Sequence, residues 1–472
     1  MGLLDKFWVE EFEDLDLFDE RINRRVISLL CTMSANPCSS ISGTFKDAKQ
    51  AKAAYRLLDN DSVDIEEILA LHYEKTALRC HQFNRVILIQ DSTGFSYRHK
   101  SKTGMGRIGK NNPLATTEAS GLLCHNMLAF SEAGEPLGLF DQHIWARGKC
   151  ADKSTLHSLP IHKKESYRWI RPLKKEDFAE ASKTQFIIIS DRESDFRIYM
   201  GEVRRHGFDF IIRMTSDRVE ALHKQSLESV FEAILDQTIV ELPIKNRTLS
   251  TEFRRSPKII RNKKTEQLTA FSMKYCSVQL AHATEEKTPF IESVNLVEIK
   301  ELNPKNGRPI SWIIATTLPV NNKKEAQEIL DLYRSRWRIE VYHKSQKSSC
   351  GVEKTGLRKA DRIKRLITFK SLIAFAICRI KYLLDSCPEE PAEKYFEKDL
   401  IKAMNNISLK KTPLAKYKVK DFIFNLANLE GYKTYNLKTP PGVIIIGKAI
   451  FRFNMILYGY SLALKRKDVG KC

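Results

Sequence analysis

Two aspartates stand at matching places in the sequence, each at the end of a short apolar run. Asp91 closes VILIQD and Asp191 closes FIIISD. Continuous apolar runs are typical of buried strands, and α/β folds build their sites at the strand ends, so we expect both carboxylates at one sheet edge. Two negative charges at such a short distance are unfavourable unless a divalent cation lies between them. An aspartate after a strand is also a common turn or helix cap, so neither residue alone indicates a metal site.

A third carboxylate, Glu340, lies in the segment YRSRWRIEVYHKSQK. At about 100° per residue, one stripe of a single helix holds Tyr333, Arg336, Glu340, Lys344 and Lys347. This stripe combines a metal ligand with cations that can hold a phosphodiester in line for attack by water or a 3′ hydroxyl, as a two-metal site requires. The same spacing also suits a ladder of salt bridges along the helix surface, so the stripe by itself leaves both interpretations open.

These residues carry a family resemblance. The pattern Y-x2-R-x3-E-x6-K, present as Tyr333, Arg336, Glu340 and Lys347, resembles the signature of IS4-family transposases. Three sequence segments agree with this resemblance. YRSRWRIEVYHK contains the glutamate, DSTGFSYRH begins at Asp91 after the apolar run VILI, and SDRESDFRIY contains Asp191 after the apolar run FIII. In the N-terminal region, KAAYRLLDNDSV is similar to the domain with which that family binds terminal sequences. The resemblance therefore covers nearly the whole chain.

The resemblance implies a catalytic site with metal ions. Asp91, Asp191 and Glu340 would be the metal-binding DDE triad of an RNase H-like fold. The implied cofactor is Mg²⁺, two ions per active site, for which Mn²⁺ would substitute. Glu193 and Asp195 lie close to Asp191 in the sequence without sitting at the strand end, and we do not expect them to be ligands.

Trp312, in GRPISWIIATT, is similar to the family tryptophan that stacks on a base flipped out during hairpin formation. Stacking a flipped base needs an exposed aromatic side chain at a loop or strand edge. The competing interpretation is a core tryptophan on a strand. The resemblance further implies that Tyr333, Arg336 and Lys347 contact the phosphates next to that base.

Three more side chains are candidates for DNA contact. The resemblance places His343 and Lys344 near the strand being cleaved, and Arg213 ends the fifth predicted strand. The overall charge is consistent with a nucleic-acid partner, because 78 Lys and Arg against 58 Asp and Glu give a formal net charge of +20. Such an excess must be solvated or neutralised by a polyanion, with nucleic acid the first candidate and an anionic membrane surface the second.

Composition excludes several other classes. A hydrophobic share of 42% in 472 residues is ordinary for a folded protein, and the ten cysteines form no C-x-x-C pair, which argues against zinc and disulfide frameworks. The acidic N-terminus lacks the features of a signal peptide. The most apolar helix candidate, Leu366–Leu384, carries Lys370, Arg379 and Lys381, which are costly at a bilayer centre. We therefore expect a protein of the bacterial cytoplasm, associated with the nucleoid when bound to DNA, and no membrane partner.

Periodicity predicts an α/β protein whose RNase H-like catalytic core contains a β-rich insertion and is flanked by helical N- and C-terminal domains. The expected domains are a DNA-end-binding domain at 1–75, the catalytic domain at 76–386 with its insertion at about 216–320, and a dimerisation domain at 387–472. The predicted core strands are 86–89, 121–130, 136–145, 186–189 and 208–213. Helices are predicted over 164–183, 196–205, 323–347 and 358–384.

The function that follows from the resemblance is a cut-and-paste DNA transposase. It would act as a homodimer on the two ends of an element in a synaptic complex, cleave through a hairpin intermediate and join the strands to target DNA. The final region departs most from the family pattern, since Glu430 replaces the first glycine of a Gly-Gly turn. Two alternatives stay open: a Mg²⁺-dependent DNA nuclease on the same fold, and a catalytically silent DNA-binding protein derived from a transposase.

Overall fold

The structure is a computed structural model that describes residues 2–45, 47–61, 63–97, 103–108, 120–148, 159–174, 183–245, 266–304, 309–408, 411–433 and 437–469. The chain divides into two compact units. The first unit comprises Met1–Leu159, Ser182–Thr184 and Trp337–Cys472, and the second comprises Pro160–Ala181 and Gln185–Arg336.

The regular elements alternate between helical and extended regions along the chain. The described strands are β1 (Arg85–Ser96), β2 (Gly106–Arg107), β3 (Ser120–Ser131), β4 (Pro136–Trp145), β5 (Gln185–Ser190), β6 (Asp209–Met214), β7 (Thr238–Lys245), β8 (Glu266–Ala283), β9 (Pro289–Glu301) and β10 (Ser311–Thr316). The described α-helices are α1 (Asp5–Phe12), α2 (Glu20–Ala35), α3 (Ile41–Thr44), α4 (Ala48–Asp59), α5 (Ile65–Cys80), α6 (Arg197–Arg205), α7 (Leu227–Glu232), α8 (Lys323–Arg334), α9 (Trp337–Lys344), α10 (Ala360–Ser386), α11 (Lys398–Ile407), α12 (Val419–Asn428) and α13 (Val443–Val469).

The N-terminal region is helical, as the sequence predicts, and its last helix continues to Cys80. Asp19, Ser40, Asp47 and Asp64 cap helices α2 to α5 by accepting a backbone N–H of the first turn. These caps satisfy donors that a helix start otherwise leaves without a partner. The short polar residues of this region therefore decide where each helix begins.

Strand β1 carries a continuous apolar run, Val86–Ile89, that is fully buried. It pairs antiparallel with β3, which also pairs antiparallel with β4 and, over two residues, with β2. The register sets Asp91 directly opposite Asn126. The predicted order of three antiparallel strands is confirmed in this unit, and both hairpin strands have the predicted bounds within a residue or two.

In the second unit, β5 and β6 are parallel and β6 pairs antiparallel with β10. From β10 the order continues antiparallel through β9 and β8 to β7. The region 216–320 is rich in strands as predicted, and it also contains helix α7. Its last strand, β10, is hydrogen-bonded to β6 on one side and β9 on the other, so the strands of this region continue the sheet that contains β5 and β6.

Two helix predictions are wrong in detail. The described part of 164–183 forms short 3₁₀ turns, the last of them Arg171–Lys174, in place of one helix. The segment 323–347 breaks between α8 and α9, because the Ser335 hydroxyl donates to the Leu332 carbonyl and Arg336 N–H reaches only three residues back, to Tyr333. A hydroxyl that captures a helical carbonyl favours such a break. After α9 the chain winds into a π-helical turn, Ser345–Ser349.

The C-terminal helices pack within the first unit, where α12 and α13 contact each other and α10. One described helix is long and apolar enough to cross a membrane by length and composition alone, over Val443–Leu462 of α13. This stretch differs from Leu366–Leu384, the most apolar helix candidate of the sequence. It is weak evidence for a membrane span, since Ile446, Ala449, Ile450 and Phe453 are buried and core helices pass the same test.

A buried charged network joins α1 and α5 to β4 in the first unit. Glu11, 4% exposed, accepts hydrogen bonds from His72 Nδ1 at 2.5 Å and from Arg79 Nη1 at 2.7 Å. The His72 Nε2 atom accepts the backbone N–H of Leu139 at 3.0 Å. Burial by itself would raise the pKa of Glu11, but the hydrogen bonds from His72 and Arg79, together with the guanidinium charge of Arg79, outweigh it and lower the pKa to about 2.

We expect this carboxylate to make stability depend on pH. Because the folded pKa is depressed, its contribution is present above about pH 4.5 and is lost as the pH falls towards 2, with a magnitude on the order of 3 kcal/mol. Urea unfolding at several pH values should show Glu11→Gln clearly destabilised at pH 7 and less so relative to the parent near pH 3. The exposed neighbour Glu10 provides the control, Glu10→Gln. A pH-independent difference for Glu11→Gln would contradict the assignment.

Candidate functional site

In the first unit, Asp91 follows the buried run of β1 and is half-buried. Its Oδ1 atom accepts the backbone N–H of Ser92 at 2.7 Å. Residues directly opposite each other in an antiparallel pair share one face of the sheet, so the side chains of Asp91 and Asn126 lie on the same face. The first candidate ligand, Asp91, therefore lies on the face of β1 and β3 that also carries Asn126.

Helix α9 packs against β1, and one hydrogen bond fixes it there. The Asn126 Nδ2 atom donates to His343 Nε2 at 3.1 Å, while Asn126 Oδ1 accepts from Gln142 Nε2 at 2.8 Å. Glu340 precedes His343 by three residues and therefore lies on the same face of α9. The first unit thus brings Asp91 and Glu340 to one interface between the sheet and the helix.

His343 takes part in the buried hydrogen-bond network of the first unit. Its ring is buried at 8% exposure, and its Nε2 atom accepts from Asn126, so a side chain expected near a cleaved strand belongs to the buried polar network. Lys344, the next residue, is exposed. The ammonium of Lys347, in the π-helical turn, lies 5.9 Å from the centre of the Phe95 ring on β1.

In the second unit, Asp191 directly follows β5 and is half-buried. Its Oδ1 atom accepts the backbone N–H of Glu193 at 2.9 Å and so begins the 3₁₀ turn Arg192–Ser194. The two nearby acids have structural partners: Glu193 pairs with Arg168 at 2.8 Å, and Asp195 accepts from Thr215. Both neighbours of Asp191 are thus engaged in side-chain contacts within the second unit.

The second unit also gathers aromatic and cationic side chains. The ring of Trp312, on β10, meets that of Tyr333 edge to face with centres 5.4 Å apart. The guanidinium of Arg213, on β6, lies 5.5 Å from the centre of the Trp312 ring and donates to the Ser311 carbonyl at 3.2 Å. Trp312 is half-buried, so it is neither the fully exposed stacking residue nor the fully buried core residue that the sequence left open. Tyr333 is buried.

Electrostatic interactions link this cluster to Asp191, the candidate ligand of the same unit. Burial lowers the pKa of Arg213, an effect that Tyr333 and the charge of Asp191 oppose. Burial raises the pKa of Tyr333, and the guanidinium groups of Arg336 and Arg213 oppose that shift. Asp191, Arg213, Tyr333 and Arg336 are therefore close enough to act on one another.

The three candidate ligands are divided between the units, with Asp91 and Glu340 in the first and Asp191 in the second. Across the part of the chain that the structure describes, no group of three or more His, Cys, Asp or Glu is placed to hold a metal ion. The type of donor nevertheless fits the implied metal, since carboxylate oxygens suit Mg²⁺ and Mn²⁺. Asp91, Asp191 and Glu340 are all half-buried, so water and ions can reach them.

Sequence reasoning missed Asn126 and Gln142, which are fully or almost fully buried. The signal for Asn126 was present, because the polar pair His125 and Asn126 interrupts the apolar strand GLLCHNMLAF. A buried amide needs hydrogen-bond partners, and such a residue marks a place where another polar group must approach the strand. Which group approaches, His343 of α9, follows only from the tertiary structure.

Comparison with known proteins identifies two regions of the chain. Residues 5–63 match the family model described as transposase DNA-binding, and residues 175–376 match the one described as transposase DDE domain. The chain therefore carries a transposase DNA-binding domain and a DDE transposase domain. The DDE match includes Asp191 and Glu340, whereas Asp91 precedes it, so the candidacy of Asp91 rests on its strand position and the resemblance in the text around it.

Among solved structures, the chain is similar to a piggyBac transposase synaptic complex with hairpin DNA, determined by cryo-EM. The TM-score is 0.38 at 10% sequence identity, and the alignment covers 77% of this chain and 66% of that chain. This similarity is too distant to define the fold or the site.

We expect His343 and Lys344 to differ in stability effect although they are adjacent. His343→Ala removes the partner of the buried Asn126 amide and should lower the unfolding free energy by about 1–3 kcal/mol. Lys344→Ala removes an exposed side chain and should change it by less than about 0.5 kcal/mol. Chemical denaturation measures both. Equal effects would place His343 outside the buried network, and a double-mutant cycle with Asn126→Ala would measure the coupling directly.

Proposed function

We propose that the chain is a cut-and-paste DNA transposase of the IS4 type. It would bind the ends of a transposable element, cleave through a hairpin intermediate and join the strands to target DNA by two-metal phosphoryl transfer. The observation that most supports this is the arrangement of Asp91 and Glu340 at one interface, held by the Asn126–His343 hydrogen bond. The two transposase domain matches supply the context for these carboxylates.

In this proposal Asp91, Asp191 and Glu340 hold two Mg²⁺ ions, for which Mn²⁺ substitutes. The ions would activate the attacking oxygen and stabilise the charge on the leaving oxygen of the phosphodiester. The protein's own task is to keep the carboxylate oxygens in place while the substrate changes. The capped turn after Asp191 and the buried amide network beside Asp91 are suited to that task, because the first holds the backbone that follows Asp191 and the second holds the side chain of Asn126 opposite Asp91.

The aromatic and cationic side chains of the second unit would receive DNA. Trp312, with Tyr333 against its edge and Arg213 near its ring, has the features of a stacking platform for a flipped base. Arg336 would neutralise a phosphate beside that base. Lys347 and the exposed Lys344 of the first unit would contact the phosphates of the strand being cleaved, whereas burial of His343 favours a positioning role for that residue.

The flanking regions would supply the DNA-end binding and the dimer contacts. The helices of 1–75 overlap the match to the transposase DNA-binding model and would recognise the terminal sequences. The region 387–472 would join two copies in the synaptic complex. Exposed apolar side chains on the outer half of α13, among them Met455, Tyr458 and Leu462, support a protein contact there. The protein would act in the bacterial cytoplasm, on the nucleoid.

A nuclease using the same carboxylates, and a silent DNA-binding protein, remain the alternatives. Strand-transfer products separate a transposase from a nuclease, since both cut DNA but only the transposase joins its ends to a target. A silent binding protein would bind end DNA without cutting it in any divalent metal. The intact set of Asp91, Asp191 and Glu340 favours an enzyme over the silent protein.

The first test removes the candidate ligands one at a time. Asp91→Asn, Asp191→Asn and Glu340→Gln should each reduce Mg²⁺-dependent cleavage of DNA flanking the coding sequence by about 10³-fold or more. Each variant should still bind that DNA in a gel-shift assay. The matched control is Glu193→Gln, beside Asp191 but paired with Arg168, which should retain cleavage. Full cleavage by any one of the three variants would remove that residue from the site.

A second test concerns Trp312. Trp312→Ala should slow hairpin formation by about 10-fold or more relative to first-strand nicking, because base stacking on an aromatic ring contributes only to the later step. Trp312→Phe keeps a ring and should retain most of the hairpin rate. Single-turnover assays with labelled strands resolve the two steps. If nicking and hairpin formation slow equally, Trp312 serves the packing of β10 and not the DNA.

A further inference from the structure

A lysine ammonium is buried in the first unit, in the middle of α10. Lys370 is 1% exposed, and its Nζ atom lies within hydrogen-bond distance of four backbone carbonyl oxygens. The distances are 2.5 Å to Cys350, 3.1 Å to Ser39, 3.4 Å to Gly351 and 3.5 Å to Pro37. An ammonium has three hydrogens to donate and no acceptor, so this group of carbonyls satisfies it without a carboxylate.

Burying a cation is unfavourable unless polar groups replace its water. Even where they do, an apolar side chain would fill such a core position more stably. Burial lowers the pKa of Lys370, as expected for an ammonium without a carboxylate partner. The carbonyls come from two segments more than 300 residues apart in the chain. The ammonium therefore connects two segments that are distant in the chain.

The first segment, around Pro37 and Ser39, connects α2 to α3 and lies inside the region matched to the transposase DNA-binding model. The second, Cys350 and Gly351, directly follows the π-helical turn that carries Lys347. Three further contacts join them. Cys38 Sγ donates to the Ser348 carbonyl at 3.7 Å, Lys354 Nζ donates to Cys38 Sγ at 3.6 Å, and a Cβ on Gly351 would lie 2.8 Å from the Cys38 carbonyl oxygen.

The second segment in turn touches the strand that carries Asp91. Glu353 accepts the backbone N–H of Ser96 at 2.7 Å, and the Lys347 ammonium lies over Phe95. Ser96 and Phe95 end β1, a few residues beyond Asp91. A continuous series of contacts thus runs from the α2–α3 connection, through the Lys370 ammonium, to the π-helical turn and β1.

We propose that Lys370 is a positioning residue that couples engagement of DNA by the N-terminal helices to the placement of Lys347 and the end of β1. The inference rests on the proposed function. A shift of the α2–α3 connection on DNA binding would move the carbonyls of Pro37 and Ser39, and the shared ammonium would pass that shift to Cys350 and Gly351. DNA ends would then be bound before the cleavage site is fully formed.

The test compares binding with cleavage in the full-length protein. The probe is a duplex made from the DNA that flanks the coding sequence. Lys370→Met should leave the Kd for this duplex within about 3-fold of the parent and reduce cleavage of the bound duplex by about 10-fold or more, the size of a typical coupling energy. Equal losses in binding and cleavage, or no loss in either, would overturn the proposal.

The matched control is Arg365→Met. Arg365 also ties α10 to the N-terminal region, through the Leu58 carbonyl at 3.0 Å and Asp61 at 3.1 Å, but it makes no such bond to Cys350 or Gly351. Its loss should leave cleavage per bound duplex unchanged. If Arg365→Met uncouples binding from cleavage as strongly as Lys370→Met, general loosening of α10 explains the effect and the specific role of Lys370 is refuted.

A second variant covers the case in which Lys370→Met does not fold. Gly351 has a φ of +56° and sits against Cys38, so Gly351→Ala pushes the two segments apart while keeping the ammonium. It should reproduce the loss of cleavage with retained binding. Normal cleavage by a folded Gly351→Ala variant would contradict the coupling.

Hydrogen exchange separates this inference from the proposed function. In the parent protein, adding the duplex should slow exchange in peptides covering both 36–40 and 345–354. In Lys370→Met only 36–40 should respond. If the parent binds the duplex but cuts nothing, the transposase proposal fails while this exchange experiment still decides the coupling. Protection of 345–354 in Lys370→Met equal to that of the parent would overturn it.

Discussion

The hydrogen bond between Asn126 and His343 is the contact on which the first half of the site depends. Strand β1 and helix α9 are distant in the chain, and each carries one carboxylate. The antiparallel register places Asn126 beside Asp91, and the amide then fixes the face of α9 that carries Glu340. Both partners are buried, so moving the helix would break this hydrogen bond inside the protein, at a cost of about 1–3 kcal/mol. The hydrogen bond therefore holds α9 in one position against the sheet.

Buried charge is used in the same way elsewhere in the first unit. Glu11 is satisfied by His72 and Arg79, and Lys370 by backbone carbonyls, and both groups join the N-terminal helices to other parts of the unit. A purely apolar contact of the same size could slide, whereas a buried ion tolerates only the arrangement that satisfies it. These networks therefore specify how the DNA-binding region is attached, beyond any stability that they contribute.

The second unit keeps an aromatic side chain partly accessible without exposing it fully. Trp312 is half-buried with the Arg213 guanidinium near its ring, and Tyr333 supports it from the buried side. The guanidinium accepts partial burial because the aromatic rings and the nearby Asp191 charge offset its lost hydration. The Trp312 ring is therefore partly accessible and lies beside a cation, the arrangement on which the proposed base stacking depends.

The strands β1, β3, β4, β5 and β6 were predictable from the sequence, because short apolar runs bounded by turn residues are typical of buried strands. The sequence also predicted Asp191 directly after β5, as found, whereas Asp91, predicted at a strand end, lies within β1, which continues to Ser96. It did not determine the break at Ser335, which depends on one hydroxyl bonding a carbonyl, nor the burial of His343. In the sequence, Lys370 indicated only that its helix is unsuited to cross a membrane. The tertiary structure decided these roles, since a hydrogen bond between residues far apart in the chain depends on which elements meet and leaves no periodic signal.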